Sequence, residues 1–314
     1  MPTTHAQGQP ILAAQPPNHT GRVLIIANPY SGMGENRQRV GALAQALARR
    51  GMQTQECWDP VQRDGLLAQP RQLTHDFDCL VVAGGDGTIA GVIQACRHIP
   101  LAVLPMGNEN LFARQFGFRK PIDELARAIV GGQWVRADVG RAGDRYFTVM
   151  LGAGFDAEVV HRVAQWRADT DDDSLHRVTR MSYVKPILAA LKAYRYPTLT
   201  LETDQGVVAR GAQVLVFNVP RYAMGLRMVP PSAADDGMLD WVVFERPGAI
   251  SLLWYMRAVM MRRHTHRRDV HLGRAARLRL TAEAPAPLQI DGDAAGATPI
   301  NIDIAPAAIR VIRM

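Results

Sequence analysis

Residues 81–90 read VVAGGDGTIA, in which a short apolar run ends in a turn of three glycines, an aspartate and a threonine. The run continues a buried strand over residues 77–83, and the apolar spacing after the turn predicts a helix over residues 89–98. Glycines between a buried strand and a helix N terminus are typical of a turn that receives a phosphate group. This stretch therefore predicts a phosphate-binding site at the end of a parallel strand.

The residues of the turn indicate which chemistry it can support. Gly84, Gly85 and Gly87 let the backbone approach a ligand closely, and Thr88 is in position to cap the helix. Asp86 lies among them, and a carboxylate in a phosphate site needs a cation or a donated proton, so it indicates magnesium or general-base chemistry. The alternative is an ordinary strand-to-helix turn in which Asp86 is a cap. The spacing excludes both the G-x-G-x-x-G fingerprint and the Walker loop.

Residues 22 to about 141 alternate short apolar runs with amphipathic segments. Residues 23–28 and 101–105 are predicted to be further buried strands. Strands that alternate with helices pair in parallel with right-handed crossovers. The turns over 28–32 and 105–110 then share one sheet edge with the glycine-rich turn, where ligands of open α/β sheets bind. The first half is therefore predicted to be an α/β nucleotide-binding domain.

From about residue 144 the pattern changes to short strands separated by turn residues, which is typical of an antiparallel sandwich or barrel. The strands are RYFTVML (145–151), TLTLETD (198–204), QVLVFNV (213–219), MLDWVVFE (238–245), RLRLTA (277–282), PLQIDGD (287–293), INIDIA (300–305) and IRVIRM (309–314). Helical patterns interrupt them at 157–166, 181–194 and 249–263. We expect a disordered tail over 1–20, the α/β domain over 21–142, completed by a last strand over 307–314, and a β-rich domain over 143–306.

Composition limits the partners and the compartment. The chain has 314 residues, 47% of them hydrophobic and 21% charged, as in a globular protein with a sizeable core. With 36 basic and 29 acidic residues the net charge is +7, which favours anionic partners. Three cysteines without C-x-x-C spacing argue against a disulfide framework and a structural zinc site, and they fit a reducing compartment. We expect neither a signal peptide nor a spanning helix.

Five motifs occur in a fixed order along the chain. They are NPYSG (28–32), GGDGT (84–88), LPMGNENLFAR (104–114), PSAADDGMLD (231–240) and IDGD (290–293). Together they resemble the diacylglycerol kinase catalytic-domain family, which includes sphingosine and ceramide kinases and many bacterial lipid kinases. The resemblance extends from Arg22 to the end of the chain. The ordered set is more specific than GGDGT alone, which the NAD kinases share and which is similar to a phosphofructokinase motif.

The resemblance implies that ATP and a lipid meet in a cleft between the two domains. The residues implied to bind ATP are Asn28, Ser31, Gly32, Gly84, Gly85, Asp86, Gly87, Thr88 and Asn108. A structural magnesium is implied at Asp236, with the carbonyl groups of Ala233 and Met238. The family's D-G-E motif is matched by Asp291-Gly292-Asp293. Asp293 would take the proton of the lipid hydroxyl, and Asp86 and Asp291 complete the implied catalytic set.

The chain departs from the family pattern at several positions. Asp293 is one methylene shorter than glutamate, and Ala90-Gly91 stand where the family carries Asn-Glu. Asn108 and Leu111 fall in the motif that the family usually writes G-T-x-N-D-F-A, where Leu111 replaces an acid. These departures favour one alternative, a degenerate member that binds nucleotide or lipid without turnover. An NAD kinase-like enzyme is the other alternative, and a plain hairpin turn is the alternative for IDGD.

Residues 248–269 join an apolar helical stretch to a cluster of arginines and histidines. One interpretation is a membrane-surface helix whose arginines meet anionic headgroups. The alternatives are a core-packed helix with a solvated basic end and a nucleic-acid contact, for which no recognition motif is present. We expect an ATP- and magnesium-dependent lipid kinase that is cytoplasmic, works peripherally at the anionic inner membrane surface and has no nucleic-acid partner.

Overall fold

The computed structural model of the protein describes residues 20–31, 36–168, 184–222, 225–230 and 233–314. Several sequence predictions fall outside the described residues. These are the tail over 1–20 except Thr20, the ATP contact at Gly32, the first two residues of PSAADDGMLD and the first three of the helix predicted over 181–194.

Four parallel strands form one end of the larger sheet, in the order β2-β1-β3-β4. They are β1 (Arg22–Ala27), β2 (Gln53–Cys57), β3 (Cys79–Gly84) and β4 (Leu101–Pro105). All six residues of β3 are buried, which explains its continuous apolar run. The helices of this half are α1 (Asn36–Ala48), α2 (Pro60–Leu67), α3 (Pro70–Asp76), α4 (Asp86–Ala95), α5 (Leu111–Gln115) and α6 (Ile122–Gly131).

Local signals fix where these helices begin and which face they bury. Val40, Leu43 and Leu47 of α1 recur at helical spacing and are all buried. The side chain of Asp59 accepts a hydrogen bond from the Gln62 amide at 2.7 Å, and Pro60 occupies the first position of α2. Capping thus fixes the start of α2, and amphipathic spacing fixes the buried face of α1.

The second half is rich in strands. Its elements are β5 (Trp134–Ala142), β6 (Arg145–Phe147), β7 (Met150–Gly154), α7 (Phe155–Ala168), α8 (Val184–Ala193), β8 (Leu199–Thr203), β9 (Gly206–Gly211), β10 (Gln213–Phe217), β11 (Leu239–Phe244), α9 (Ala249–Met260), β12 (Val270–Ala275), β13 (Arg277–Ala282), β14 (Pro287–Ile290), β15 (Asp293–Ala297) and β16 (Ile300–Ile312). A six-stranded antiparallel sheet has the order β12-β11-β10-β7-β14-β15. The larger sheet continues from β4 through β16, β13 and β8 to β9.

A shared core makes these two sheets a sandwich. Leu201 of β8 and Leu280 of β13 pack in one buried cluster with Val216 of β10 and Trp241 of β11. The cluster lies between the larger sheet and the six-stranded sheet. The structure thus confirms the predicted fold class, an α/β half with a parallel sheet followed by a β-rich sandwich with inserted helices.

The last strand joins the two halves. β16 pairs with β13 and β5 in antiparallel fashion and with β4 in parallel at Val311. Its register is irregular between Ala305 and Ile309. There the carboxylate of Asp138, which is only 4% exposed, accepts the Ala307 amide at 2.7 Å and, with its other oxygen, the Gly237 amide at 2.7 Å. One buried side chain therefore fixes both the bend of β16 and the loop before β11.

Several elements differ from the sequence prediction for local reasons. The stretch 145–151 forms two strands, β6 and β7, because the amides of Thr148 and Val149 between them bind the carboxylate of Asp291. The stretches 300–305 and 309–314 form the single strand β16. The sequence analysis missed the strands β5, β9, β12 and β15 and the helices α2, α3 and α6. Charged residues and glycine within these strands weaken the apolar alternation that identifies a strand.

We predict that Asp138→Ala lowers the free energy of unfolding by about 3 kcal/mol, because two backbone amides lose their buried acceptor. Asp144→Ala, at an exposed position in the turn between β5 and β6, serves as the control and should change stability by less than about 0.5 kcal/mol. Urea denaturation of both variants measures the difference. Equal midpoints for the two would contradict the role given to Asp138.

Candidate active site

Three turns meet at the carboxyl edge of the parallel strands, as the sequence predicted. The Asn28 amide donates to the Ala83 carbonyl at 3.0 Å, and the Met106 amide donates to the Gly84 carbonyl at 2.9 Å. The side-chain amide of Asn28 also donates to the Thr88 hydroxyl oxygen at 3.0 Å. The structure therefore brings Asn28 and the glycine-rich turn into direct contact. Ser31, directly after Tyr30, lies half-buried in the first turn.

Two glycine positions in these turns are too closely packed to carry a side chain. A Cβ atom on Gly107 would lie 2.7 Å from the Cα atom of Gly85, and one on Gly84 would lie 2.6 Å from the Cβ atom of Thr88. Neither position has room for a side chain, since the obstructing atoms cannot move away. Around Gly87, by contrast, a Cβ would meet nothing within 4 Å, so this part of the turn is open. The backbone of the turn is thus packed on one side and accessible on the other.

The N terminus of α4 faces this open side. Gly85 is its N-cap residue, and no side chain in the described part of the protein caps it. The expectation that Thr88 caps the helix is wrong, because α4 begins two residues earlier at Asp86 and the Thr88 hydroxyl is engaged by Asn28. Uncapped amides in a first helical turn are donors for an anion. The geometry therefore suits a phosphate group.

Asp86 binds the neighbouring loop. Its two carboxylate oxygens accept the amides of Leu111 and Phe112 at 2.9 Å and 3.0 Å, which caps α5. Burial raises the pKa of Asp86, while these two hydrogen bonds and the nearby Arg114 guanidinium act in the opposite direction. Asp86 is therefore a helix cap, as in the alternative interpretation of the turn. The helix that it caps is α5 and not α4, to which Asp86 belongs.

A cavity of about 150 Å³ opens beside these turns. Asn28 and Thr88 form one wall, and Tyr30, Trp58 and Arg63 are among the residues that form the others. The last two follow β2 and were missed by the sequence analysis, although Trp58-Asp59-Pro60 directly after a strand marks a turn at the same edge. Two aromatic rings and a guanidinium beside an anion site are suited to a base and phosphates.

The D-G-D turn separates two aspartates with different environments. The carboxylate of Asp291 accepts the Thr148 amide and hydroxyl at 2.7 Å and 2.9 Å and the amides of Val149 and Met150 at 2.9 Å each. Burial raises its pKa, and the hydrogen bonds oppose this shift. Asp293, at the start of β15, is exposed. Asp291 thus anchors the turn, and Asp293 is the carboxylate that solvent or a ligand can reach.

A second buried carboxylate supports this turn. Asp156, near the start of α7, accepts hydrogen bonds from the Tyr222 hydroxyl and, at 2.9 Å, from the side-chain amide of Gln289. Gln289 in turn accepts the Gly292 amide at 2.9 Å. Burial raises the pKa of Asp156, and its hydrogen-bond donors lower it. The sequence analysis missed Asp156, although its place after Gly154 repeats the strand, glycine and helix order of residues 81–90.

Two arginines lie where the halves of the protein meet. A Cβ atom on Gly225 would lie 3.0 Å from Nη1 of Arg114, so α5 approaches the loop that follows β10. The Nε atoms of Arg114 and Arg221 are buried without a hydrogen-bond partner within the described ranges. A buried N–H group without a partner is costly unless a ligand or water satisfies it. These arginines are suited to an anionic ligand between the halves.

The loop predicted to hold magnesium does not fit a divalent cation. The carboxylate of Asp236 forms an ion pair with the Arg274 guanidinium and accepts the Met238 amide at 3.1 Å. Arg274 also pairs with the buried Asp240 at 3.0 Å. No cluster of three or more His, Cys, Asp or Glu side chains suited to a metal occurs in the part of the chain that is described. A fixed positive charge thus occupies the position that a cation needs beside Asp236.

Two family models match the chain in sequence order. The diacylglycerol kinase catalytic domain matches residues 22–142, and the YegS C-terminal NAD kinase beta sandwich-like domain matches residues 149–313. The first match contains the glycine-rich turn and the loop capped by Asp86. The second contains Asp156, Arg274 and the D-G-D turn.

Relatives that match along most of their length are named diacylglycerol kinases. A diacylglycerol kinase from Mycobacterium tuberculosis is 28% identical over 304 residues, which cover 93% of this chain and 95% of that one. One from Bacillus subtilis is 25% identical over 287 residues, covering 88% and 91%. The crystal structure of a diacylglycerol kinase from Bacillus anthracis aligns with a TM-score of 0.67 over 94% of this chain and 97% of that one. At 18% identity that likeness establishes a shared fold.

We predict that Gly107→Ala lowers stability by at least about 2 kcal/mol, because the added methyl group collides with the backbone of Gly85. Gly91→Ala, in α4, is the matched control. A Cβ there meets nothing within 4 Å, and alanine should stabilise the helix by about 0.5–1 kcal/mol. Thermal unfolding of both variants measures the two effects, and a Gly107→Ala protein as stable as the parent would refute the close contact.

We predict that a chelator leaves the melting temperature of the nucleotide-free protein unchanged, because Arg274 supplies the positive charge beside Asp236. Arg274→Met should lower the free energy of unfolding by about 2 kcal/mol, since the buried Asp240 loses its partner. Arg277→Met, an exposed arginine on β13, is the control. A large loss of stability on chelation would show that a metal holds this loop after all.

Proposed function

The chain belongs to the diacylglycerol kinase catalytic-domain family, and from this premise we propose that it transfers the γ-phosphate of ATP to the hydroxyl group of a lipid, diacylglycerol or a similar one. The observation that carries the proposal is the uncapped N terminus of α4, which opens beside a cavity with two aromatic rings. A phosphate and a base find complementary groups there. Diacylglycerol is the substrate class in the relatives' names.

ATP, as its magnesium complex, would bind along the edge of the parallel strands. Its phosphates would accept hydrogen bonds from the first amides of α4, at Asp86 to Thr88, and its base would lie against Tyr30 and Trp58. Asn28 supports this position through its contact with Thr88. Asn108 and Ser31 lie in the two flanking turns, which makes them further contacts for the nucleotide. Magnesium supplies neutralisation of the phosphate charge.

The transfer step needs positioned charge and one proton acceptor. The lipid hydroxyl oxygen attacks the γ-phosphorus, its proton moves to the carboxylate of Asp293, and the bond to the bridging oxygen breaks to release ADP. Asp291 fixes the turn that carries Asp293 through its four hydrogen bonds. Asp86 acts by capping α5, so its effect on catalysis is indirect. Arg114 and Arg221 supply N–H donors for the phosphates.

The lipid has a route to this position. An apolar groove lined by Leu226, Met228, Phe244 and Leu252 reaches Tyr222, whose hydroxyl donates to Asp156 beside the D-G-D turn. The groove has a volume of about 50 Å³, so it would take only the part of the lipid next to the hydroxyl group, with that hydroxyl toward Asp293. Such a substrate is delivered by a membrane, so we propose that the enzyme works at the inner membrane surface of the cytoplasm.

The two proposed domains would bind different substrates. Residues 21–142 with the last strand over 307–314 would bind the nucleotide, and residues 143–306 would bind the lipid. The pairing of β16 with β4 supports the assignment of the C terminus to the first domain.

One observation favours a second candidate function, nucleotide or lipid binding without turnover. The carboxylate of Asp86 is occupied by two amides, and Leu111 carries no acid, so the glycine-rich turn offers no free carboxylate to magnesium. The two functions differ in whether phosphate leaves ATP.

The experiment is incubation of the purified protein with γ-labelled ATP, magnesium and a mixed lipid extract in liposomes, followed by extraction into organic solvent. Label in a lipid product supports the kinase, and the product names the acceptor. ATP binding by calorimetry without labelled lipid would support the non-catalytic function. No binding of ATP would overturn the kinase, and no binding of either ATP or the liposomes would overturn both functions.

We predict that Asp293→Asn lowers kcat by about 100-fold or more, since the amide cannot accept the hydroxyl proton. KM for ATP should change little, because Asp293 is not among the nucleotide contacts. Asp204→Asn, at an exposed turn between β8 and β9, is the control and should retain the parent rate. Steady-state kinetics with both variants provides the test, and near-normal turnover in Asp293→Asn would remove this residue from the mechanism.

A further inference from the structure

α9 has an apolar side that no described residue of the protein covers. Ile250 is 73% exposed, Leu253 69%, Trp254 56% and Met260 67%. These positions are three, four and ten residues from the first, so they lie on one side of the helix. Of the eleven large apolar side chains that are exposed in the described part of the chain, six belong to residues 250–261. We call Ile250, Leu253, Trp254 and Met260 the outer face of α9.

The opposite side of α9 packs against the core. Tyr255, Ala258 and Val259 are buried, and the Tyr255 ring packs on Phe244 with centroids 4.9 Å apart. The buried His264 in the following 3₁₀ turn contacts the Met228 carbonyl at 2.9 Å and holds the end of the helix. A core-packed helix accounts for these contacts but leaves the outer face unexplained. Exposed apolar side chains in such a contiguous group mark an interaction surface.

Positive charge borders the outer face. Arg262, Arg263 and Arg268 follow the helix and are exposed. Arg257 lies on the face itself, with its guanidinium 6.0 Å from the centre of the Trp254 ring. Beside Trp254 and Tyr255, Arg246 and Arg267 share the single carboxylate of Asp269 at 2.9 Å and 2.8 Å, which leaves one positive charge in excess. An apolar strip edged by arginines is complementary to acyl chains beneath anionic headgroups.

We propose that the outer face of α9 docks on the surface of an anionic lipid bilayer, with its apolar side chains at the level of the first acyl carbons and the arginines on the headgroup phosphates. The helix lies on the bilayer, because it has 12 residues and no described helix of the protein is long and apolar enough to cross one. Arg257 extends its charged end to the headgroups while its methylene groups stay near Trp254.

The charges argue against the other occupants. Two copies of this face would bring two sets of arginines together, which costs energy without a matching set of acids. A nucleic acid would use the arginines but leave the four apolar side chains in water. Of these occupants, only an anionic bilayer is complementary both to the apolar side chains and to the arginines. The proposal rests on the proposed function for its purpose, since docking here brings the groove beside Leu252 to the lipid.

The test compares vesicle binding by the parent protein and three double variants, one of them a control, without nucleotide. Vesicles of phosphatidylcholine alone and of phosphatidylcholine with an equal part of phosphatidylglycerol are sedimented with the protein. Leu253→Ser/Trp254→Ser should lower the partition coefficient by about tenfold or more. Arg262→Gln/Arg263→Gln should lower it by about tenfold on the anionic vesicles only. Val61→Ser/Val207→Ser, at positions 80% and 53% exposed on other elements, should bind like the parent.

Equal binding by the parent and the Leu253→Ser/Trp254→Ser variant would overturn the proposal. A parent protein that does not bind vesicles would also overturn it if sedimentation equilibrium shows a dimer that the Leu253→Ser/Trp254→Ser variant does not form. The same holds if the parent protein does not bind vesicles but forms a DNA complex that the Arg262→Gln/Arg263→Gln variant does not form. Turnover of a monomeric short-chain diacylglycerol separates the two proposals. Normal turnover with variant-insensitive vesicle binding retains the kinase and rejects docking. Variant-sensitive vesicle binding without any turnover retains docking and rejects the kinase.

Discussion

The carboxylate of Asp86 holds two loops of the sheet edge in one position. Its two oxygens accept the amides of Leu111 and Phe112, so the turn after β3 and the helix after β4 cannot move apart without exposing a buried charge. The contact between Gly85 and Gly107 needs the same arrangement. It also sets the direction of α5, which carries Arg114 toward the loop at Gly225. The open N terminus of α4 and the approach of the two halves both depend on this interaction.

Aspartate carboxylates also accept backbone amides where other segments of the chain meet. Asp138 accepts amides from β16 and from the loop before β11, and Asp291 accepts three amides between β6 and β7. Each joins segments that are distant in sequence, and each is buried at a cost that only the hydrogen bonds offset. Asp293 differs, since it is exposed and follows the anchored residue by two positions. The aspartates that position loops are thus held by backbone amides, whereas Asp293 is exposed.

The sequence predicted the elements whose signal is local. β1, β3 and β4 are buried on both faces and appear as continuous apolar runs, and the glycine-rich turn appears at the predicted edge. The role of Asp86 could not be predicted, because its partners are 25 and 26 residues away and are backbone atoms. The ion pair between Asp236 and Arg274 could not be predicted for a similar reason. Arg274 comes from a strand 38 residues further along, and only the pairing of β11 with β12 brings it there.

We propose that the edge of the parallel sheet holds the triphosphate of ATP. A crystal structure with a non-hydrolysable ATP analogue and magnesium would show where the phosphates bind. We expect phosphate oxygens within about 3 Å of the amides at the start of α4, and the base in the cavity between Tyr30 and Trp58. A nucleotide bound with its phosphates away from residues 85–88 would contradict it.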